Sequence, residues 1–319
     1  MNLFPFFVGC DRSGTTLIQA VFDGHSRLAI PYESHFIPML LRRRERYERE
    51  GGFDQDGFLA DLFAYPFVER WGLTREEIAT AIRKEPPGDV PNAIRTVFAL
   101  YAARQNEPMY GDKTPGYVRS LPRIAGAFPE ARFVHIIRDG RDVALSLFEA
   151  EWAPDSVVDA ARFWKQRVEA GRTAGRVLGP ARYSELRYED FVDDPIGETQ
   201  RVCAFLELSF EESMLDYSGR AEAIIGQTDV PHRHEGLREA PTKGRRDWRR
   251  QMEPGDVLLF EAVAGGTLAD FGYARYAPLV PTEIARRARA QLTLRKVRGI
   301  PDRIRSEIRP RRRRLPPNP

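Results

Sequence analysis

The stretch Leu3-Phe4-Pro5-Phe6-Phe7-Val8-Gly9-Cys10-Asp11-Arg12-Ser13-Gly14-Thr15-Thr16-Leu17-Ile18-Gln19-Ala20-Val21-Phe22 decides the fold. It opens with an apolar run of strand length, passes through two glycines separated by four residues, and continues with apolar residues at helical spacing. A buried strand, a tight glycine turn and a helix predict the first unit of an α/β sheet. The start of such a helix presents backbone N–H groups without intrahelical partners and a partial positive charge, so the turn is a ready anion site. The outer spacing, Gly9-x4-Gly14, is that of a P-loop. A nucleotide-hydrolysing P-loop places Lys and then Ser/Thr directly after the second glycine, for the β/γ-phosphates and Mg²⁺. Here Thr15 and Thr16 stand there, and the cation, Arg12, precedes the glycine. The pattern predicts a phosphate-like group held without a metal. A ligand-free strand–helix turn is the alternative, but it asks only for one glycine and a cap.

Three further segments carry chemistry. Ala131-Arg132-Phe133-Val134-His135-Ile136-Ile137 reads as a second buried strand, rich in β-branched and aromatic residues. Arg138-Asp139-Gly140-Arg141-Asp142 turns into the helix Val143-Ala144-Leu145-Ser146-Leu147-Phe148, with Asp139 as a candidate N-cap. Arg138 offers a planar, permanently charged fork, and Ser146, eight residues on, returns to roughly the same side of a helix. The alternative is a strand-end Arg paired with Asp142 or a neighbouring carboxylate. Tyr183-Ser184-Glu185-Leu186-Arg187-Tyr188-Glu189-Asp190-Phe191 reads as a strand ending in Tyr-Glu-Asp, followed by Asp193-Asp194-Pro195. Tyr188 can offer a stacking face with a polar tip, or serve as a core aromatic. Thr242-Lys243-Gly244-Arg245-Arg246-Asp247-Trp248 is a basic loop ahead of a Trp; a merely solvated loop is the alternative.

In this order and at these separations the segments resemble sulfotransferases that use 3′-phosphoadenosine-5′-phosphosulfate (PAPS). The Arg form of the first loop is similar to the bacterial and tyrosylprotein-type branches. The resemblance implies that Arg12, Ser13, Gly14, Thr15 and Thr16 hold the 5′-phosphosulfate, that Arg138 and Ser146 bind the 3′-phosphate, and that Tyr188 lies by the adenine. It further implies that Lys243, Gly244, Arg245 and Arg246 grip the 3′-phosphate. There the chain departs from the family form: Thr242 stands where an Arg is usual, and the Lys-to-Trp spacing is one residue shorter. Which of Lys243, Arg245 and Arg246 touches the phosphate stays open. Tyr110-Gly111-Asp112-Lys113-Thr114-Pro115 resembles the Lys-Thr/Ser-Pro element of carbohydrate- and bacterial-type members, which implies Lys113 in a loop near the donor sulfate. A surface Lys beside a capping Thr114 is the alternative.

The acceptor hydroxyl must lose a proton, and a carboxylate or His within hydrogen-bond reach suffices. Leu28-Ala29-Ile30 reads as a short parallel strand, and Glu33 lies just past its end, where open α/β sheets bind ligands. The resemblance places a catalytic Glu here in the tyrosylprotein-like branch, so Glu33 is the expected base and His35 its competitor. Both could instead cap the helix that starts near Ser34. His135 reads as core, His25 as a helix C-terminal residue, and His232 and His234 fall in a polar loop.

Composition fits a soluble enzyme: 42% hydrophobic residues, no apolar run long enough to span a bilayer, and no secretory signal ahead of the first strand. Two cysteines, Cys10 and Cys203, make no disulfide framework and read as packing residues, and no His/Cys cluster has zinc spacing, so no metal is expected. Residues 1–280 read as one domain with a helical insertion at about 36–107, whose helices are expected near 57–65, 74–84 and 92–104; another is expected over 155–178. Residues 281–319 form a separate basic tail, with thirteen Arg and Lys against three Asp and Glu, about +10 in a chain of net +3. Ile284, Ala288, Leu292, Leu294 and Val297 share one face of a basic amphipathic helix. It can lie on an anionic membrane surface, pack on the acidic body, or stay solvated.

The expectation is therefore an α/β fold, a P-loop-like doubly wound parallel sheet with a helical insertion. The expected reaction is sulfuryl transfer from PAPS to a hydroxyl of a carbohydrate, a glycolipid or a small natural product. A cytoplasmic location is expected, peripheral to the inner membrane surface through the tail, with no specific nucleic-acid partner. The rival readings are a P-loop nucleotide kinase or NTPase, and a non-catalytic nucleotide-binding membrane adaptor.

Overall fold

The structure is a computed structural model, and residues 3–150, 152, 154–220 and 246–297 are described. The strands, in chain order, are β1 (Phe4–Gly9), β2 (Leu28–Ala29), β3 (Glu48–Arg49), β4 (Gly52–Phe53), β5 (Met109–Tyr110), β6 (Asp112–Lys113), β7 (Ala131–Ile137) and β8 (Tyr183–Arg187). The central sheet has the order β6-β1-β7-β8, and every pairing in it is parallel. The register brings the strand ends level: Gly9 faces Ile136, and Ile137 faces Arg187. β2 and β5 form a second parallel pair. The short stretch 109–113 serves both sheets, pairing with β2 through Met109 and Tyr110 and with β1 through Asp112 and Lys113. Gly111 sits at the changeover, where an added Cβ would lie 3.2 Å from the Pro5 carbonyl oxygen.

Strand alternation explains the two-sided core. Phe4, Phe6 and Val8 of β1 point to one face, with Phe133 of β7; Phe7 points to the other, with Val134 and Ile136. A parallel sheet covered on both faces requires such continuous apolar strands. Phe4 is fully buried and meets Phe98, Tyr110 and Phe128 edge-on, with centroids 5.0, 4.8 and 5.3 Å away. Truncating a ring so placed costs about 3–5 kcal/mol.

The chain forms two compact units, residues 1–139 with 164–247, and residues 140–163 with 248–319. In the first, the expected helical insertion is present as Ile37–Arg42, Gln55–Leu62, Arg75–Lys84 and Val90–Gln105. Asp54, Thr74 and Asp89 cap the last three with side-chain hydrogen bonds, and Thr74 with Glu77 forms a full capping box. The expected helix over 155–178 is Val157–Leu178. In the second unit Arg141 and Glu261, both fully buried, pair at 2.8 Å, and Arg141 lies 3.7 Å from the Trp248 ring centroid. The basic helix Thr282–Val297 packs its apolar side inward: Ala288 is buried, and Ile284 and Leu292 pack with Val158 and Leu259. The apolar stripe is thus largely covered by protein, and Arg286, Arg287, Arg289 and Leu294 are exposed.

Candidate active site

The carboxyl ends of β1, β6, β7 and β8 emerge along one edge of the sheet and carry Cys10–Thr16, Lys113, Arg138 and Tyr188. Parallel sheets place ligands at that edge. The first loop turns at Arg12 and Gly14, whose φ values are +71° and +87°. Gly14 is required there on two grounds. The left-handed conformation suits glycine, and an added Cβ would lie 2.3 Å from the Tyr188 ring. The helix Thr15–Phe22 starts without a side-chain cap and without an acidic residue in its first turn. Its first amides have no intrahelical partner. Ser13 is fully buried, and its hydroxyl has no hydrogen-bond partner among the described residues. A buried, unsatisfied hydroxyl is costly, and beside an uncapped helix start it suits an anion. Asp11 is drawn aside by Arg167, 3.2 Å away. Burial pushes the Cys10 thiol far above its ordinary range, so Cys10 packs rather than reacts.

Tyr188 begins the helix after β8, and the Arg138 guanidinium lies 4.6 Å from its ring centroid. Arg138 is positioned by the Trp164 indole, which donates to its carbonyl at 3.0 Å. Arg138, Tyr188 and Gly14 therefore line one continuous cradle. Ser146 is buried in the helix Gly140–Leu147 of the second unit. Lys243, Gly244 and Arg245 lie outside the described residues; Arg246 is half-buried.

Beside the loop stands a cluster of charge. Lys113 is on β6, opposite Phe7 of β1, rather than in the loop expected for it. Its Nζ is buried and donates to Glu33 Oε1 at 2.6 Å. Glu33 Oε2 lies 3.0 Å from His35 Nε2. Burial alone would push the Glu33 carboxyl up, but the Lys113 charge and the His35 contact outweigh it and hold the group well below the usual carboxylate range. Glu33 is thus ionised. His35 does not cap a helix. It takes a left-handed backbone (φ +53°), is 42% exposed, and its ring packs on Phe67, 4.8 Å away, with Tyr65 beyond. Non-glycine residues in that region are uncommon and cluster at functional sites.

Sequence reasoning missed the residues that hold this cluster. Gln19, on the helix after the first loop, donates to the carbonyls of Ile30 and Pro31 at 3.1 and 2.9 Å and so ties the segment before Glu33 to the helix that follows the Gly14 turn. Ser34, Asp112, Thr114 and Tyr117 form a buried hydrogen-bonded group beneath it. Ser34, Asp112 and Thr114 carried no signal for this role beyond adjacency to Glu33 and Lys113, and Gln19 and Tyr117 carried none.

Fold and site together define an α/β protein with a P-loop-like anion loop at the carboxyl edge of a parallel sheet, and with an ion-paired Glu next to it. Residues 5–212, more than half of the chain, match the Sulfotransferase family, and the chain belongs to it. It is 23% identical over 283 residues to protein-tyrosine sulfotransferase 2 of Gallus gallus, covering 85% of this chain and 70% of that one. It is 24% identical over 286 residues to the protein-tyrosine sulfotransferase of Drosophila melanogaster, spanning about half (52%) of that chain's length. Among solved structures, the sulfotransferase domain of the Synechococcus PCC 7002 olefin synthase aligns with a TM-score of 0.52 at 20% identity, covering 86% of this chain and 95% of that domain. The sulfotransferase domain from the curacin biosynthetic pathway aligns with a TM-score of 0.51 at 19% identity, covering 92% and 98%. These two likenesses bear on the fold.

Proposed function

We propose that the chain transfers the sulfuryl group of PAPS to an acceptor hydroxyl. The observation that carries the reading is the juxtaposition of the Gly14–Tyr188–Arg138 cradle, with a Ser13 hydroxyl unpartnered among the described residues, and the Glu33–Lys113 pair on one sheet edge. The loop amides, Arg12, Ser13, Thr15 and Thr16 hold the 5′-phosphosulfate. Arg138, with Ser146 and the loop Lys243, Gly244, Arg245 and Arg246, takes the 3′-phosphate, and Tyr188 takes the adenine. The acceptor oxygen forms a bond to sulfur as the bond from sulfur to the 5′-phosphate oxygen breaks. Arg12 and the helix start stabilise charge on the departing phosphate. Glu33 receives the acceptor proton, and Lys113 keeps it ionised until then. Thr15 in place of the P-loop lysine supports this reading over a nucleotide kinase or NTPase.

The acceptor we propose is a hydroxyl of a carbohydrate, a glycolipid or a small natural product, entering past His35 and Phe67. No helix among the described residues is long and apolar enough to cross a membrane. With Ala288 buried and Ile284 and Leu292 packed inward, we propose that the basic tail meets the anionic inner membrane surface by charge, not by insertion, holding a cytoplasmic enzyme peripherally.

Calorimetry with 3′-phosphoadenosine-5′-phosphate and with adenosine 5′-phosphate tests the donor assignment. The first should bind more tightly, and Arg138→Ala should remove roughly 1.5–3 kcal/mol of that preference, the usual worth of a charged hydrogen bond. Equal affinities in the wild type would overturn the reading.

A further inference from the structure

One buried acid is used by no step above. Asp112 is fully buried, directly before Lys113 on β6. Its Oδ2 accepts the hydroxyl of Ser34 at 2.5 Å and that of Thr114 at 3.2 Å. Its Oδ1 has no hydrogen-bond partner among the described residues. Ser34 stands between Glu33 and His35 and is itself fully buried. Its amide donates to Thr114 Oγ1 at 3.0 Å, and its hydroxyl lies 2.8 Å from that of Tyr117. The Tyr117 oxygen in turn accepts the Ile37 amide at 3.0 Å. The backbone is therefore tied down on both sides of His35, the residue held at φ +53°.

We propose that Asp112 is a positioning residue for the acceptor-activating group: through Ser34 it fixes the segment 33–35 so that Glu33 meets both His35 and Lys113. The inference rests on the reading of Glu33 as the proton acceptor. Three observations support it. An acid at this position works against the fold, since a buried carboxylate oxygen without a donor is costly. Burial pushes the Asp112 carboxyl up to about 6, although the Ser34 and Thr114 hydroxyls and the charge on His35 pull the other way and Glu33 adds to the rise. The groups facing it, Ser34 with Glu33 and His35 from one segment and Thr114 with Tyr117 from the other, include the whole candidate proton-transfer pair. A left-handed histidine between two anchored amides needs such a clamp, because the surrounding structure must over-determine a strained residue.

The test uses the full chain and has a readout independent of the acceptor. With histidine labelled by ¹⁵N, the Nε2–H signal of His35, assigned by its loss in His35→Asn, reports the His35–Glu33 hydrogen bond. It should be resolved in the wild type and in Asp112→Asn, whose amide oxygen still accepts the Ser34 hydroxyl. It should broaden or vanish in Asp112→Ala and Ser34→Ala. Turnover of PAPS with 4-nitrophenol as the probe acceptor should fall about 10- to 100-fold in the two alanine variants, the scale of a roughly 1 Å misplacement. The KM for PAPS and the affinity for 3′-phosphoadenosine-5′-phosphate should stay within about twofold, and Asp112→Asn should recover most of kcat. If Asp112→Ala does not fold, Ser34→Ala carries the test alone. An unchanged His35 signal in Ser34→Ala overturns the clamp. Full turnover in Glu33→Gln would instead overturn the proton-acceptor reading and leave the His35 signal to decide the clamp.

Discussion

At the proposed 5′-phosphosulfate end of the site the groups offered to a ligand come mainly from one short turn: the start of a helix, a left-handed Gly14, and one arginine and one serine. At the proposed acceptor end they are side chains brought together from distant stretches, Glu33 and His35 from one segment and Lys113 from a strand eighty residues on. The loop that would hold the 5′-phosphosulfate is local, so it should fail when its own backbone is altered, although Tyr188 and Arg138 reach it from distant strands. The acceptor end is an assembly of charges, so it should keep its shape under conservative changes and lose its chemistry.

The largest expected effect breaks the acceptor end alone. Glu33→Gln keeps the outline and removes the proposed proton acceptor. Turnover should fall by about 10²–10⁴-fold, the usual range for general base catalysis. Calorimetric affinity for 3′-phosphoadenosine-5′-phosphate should hold. A parallel loss of donor affinity would mean that the two ends are not separable.

The converse change, Gly14→Ala, should spare Glu33 and damage the donor end. The new Cβ lies 2.3 Å from the Tyr188 ring at a φ of +87°. Either the ring moves or the loop does. A backbone held in a disfavoured region costs about 1–3 kcal/mol, which as lost donor affinity is about 5- to 150-fold. Full donor affinity in the purified variant would show that Tyr188 can yield, and would weaken its assignment to the adenine.

The contrast also explains what could be read in the chain. The strand–loop–helix of 3–22 was legible because apolar alternation, two glycines and a helical repeat are all local signals; β1 spans Phe4–Gly9 and the helix Thr15–Phe22. β7 and the helices of 36–107 were legible for the same reason. The strands at 109–113 were not, since two-residue ladders carry no periodicity, and Lys113 was therefore expected in a loop. The clamp of Ser34, Asp112, Thr114 and Tyr117 was invisible because each of its bonds joins two segments about eighty residues apart or lies within one short turn. The tail's apolar stripe was seen, but its covering helix was not, since amphipathicity shows that a face is buried and not what buries it.

Acid–base linkage sharpens the picture of the acceptor end. The Asp112 carboxyl goes from an ordinary value of 3.8 up to about 6, because burial penalises its charge more than the Ser34 and Thr114 hydroxyls favour it. Between those values the folded chain holds a proton that the unfolded chain releases. This contribution to stability is therefore present below about pH 4, falls as the pH rises, and is gone above about pH 6. The swing is at most about 3 kcal/mol. His135 runs the opposite way: burial lowers it from 6.5 to about 4, so its contribution is lost as the pH falls through that window. The wild-type curve mixes these with other groups, among them Asp23, which burial also raises to about 6, so the informative quantity is the difference between Asp112→Asn and the wild type. Denaturant melts should show the variant gaining relative to the wild type between pH 4.5 and pH 8. A difference that does not change with pH would place the Asp112 charge in contact with solvent.

The smallest expected effect concerns a region that belongs to neither end. Arg286, Arg287 and Arg289 are exposed on the basic helix, while Ala288 between them is buried. If the tail meets an anionic surface by charge, each of these arginines contributes about 1 kcal/mol near that surface, screened within a Debye length. Replacing all three by Gln should weaken flotation with phosphatidylserine-containing vesicles at low salt, and added salt should weaken flotation of the intact chain. Binding to neutral phosphatidylcholine vesicles should be weak in both, because Ala288, Ile284 and Leu292 are engaged with the protein and unavailable for insertion. Turnover of a soluble acceptor should barely change, since the proposed function gives this helix no part in holding PAPS or in moving the acceptor proton. Strong binding to neutral vesicles would mean that the helix leaves its packing to insert. A loss of turnover in the triple variant would give the tail a part in one end of the site, and the division between a local donor end and an assembled acceptor end would then need a third element.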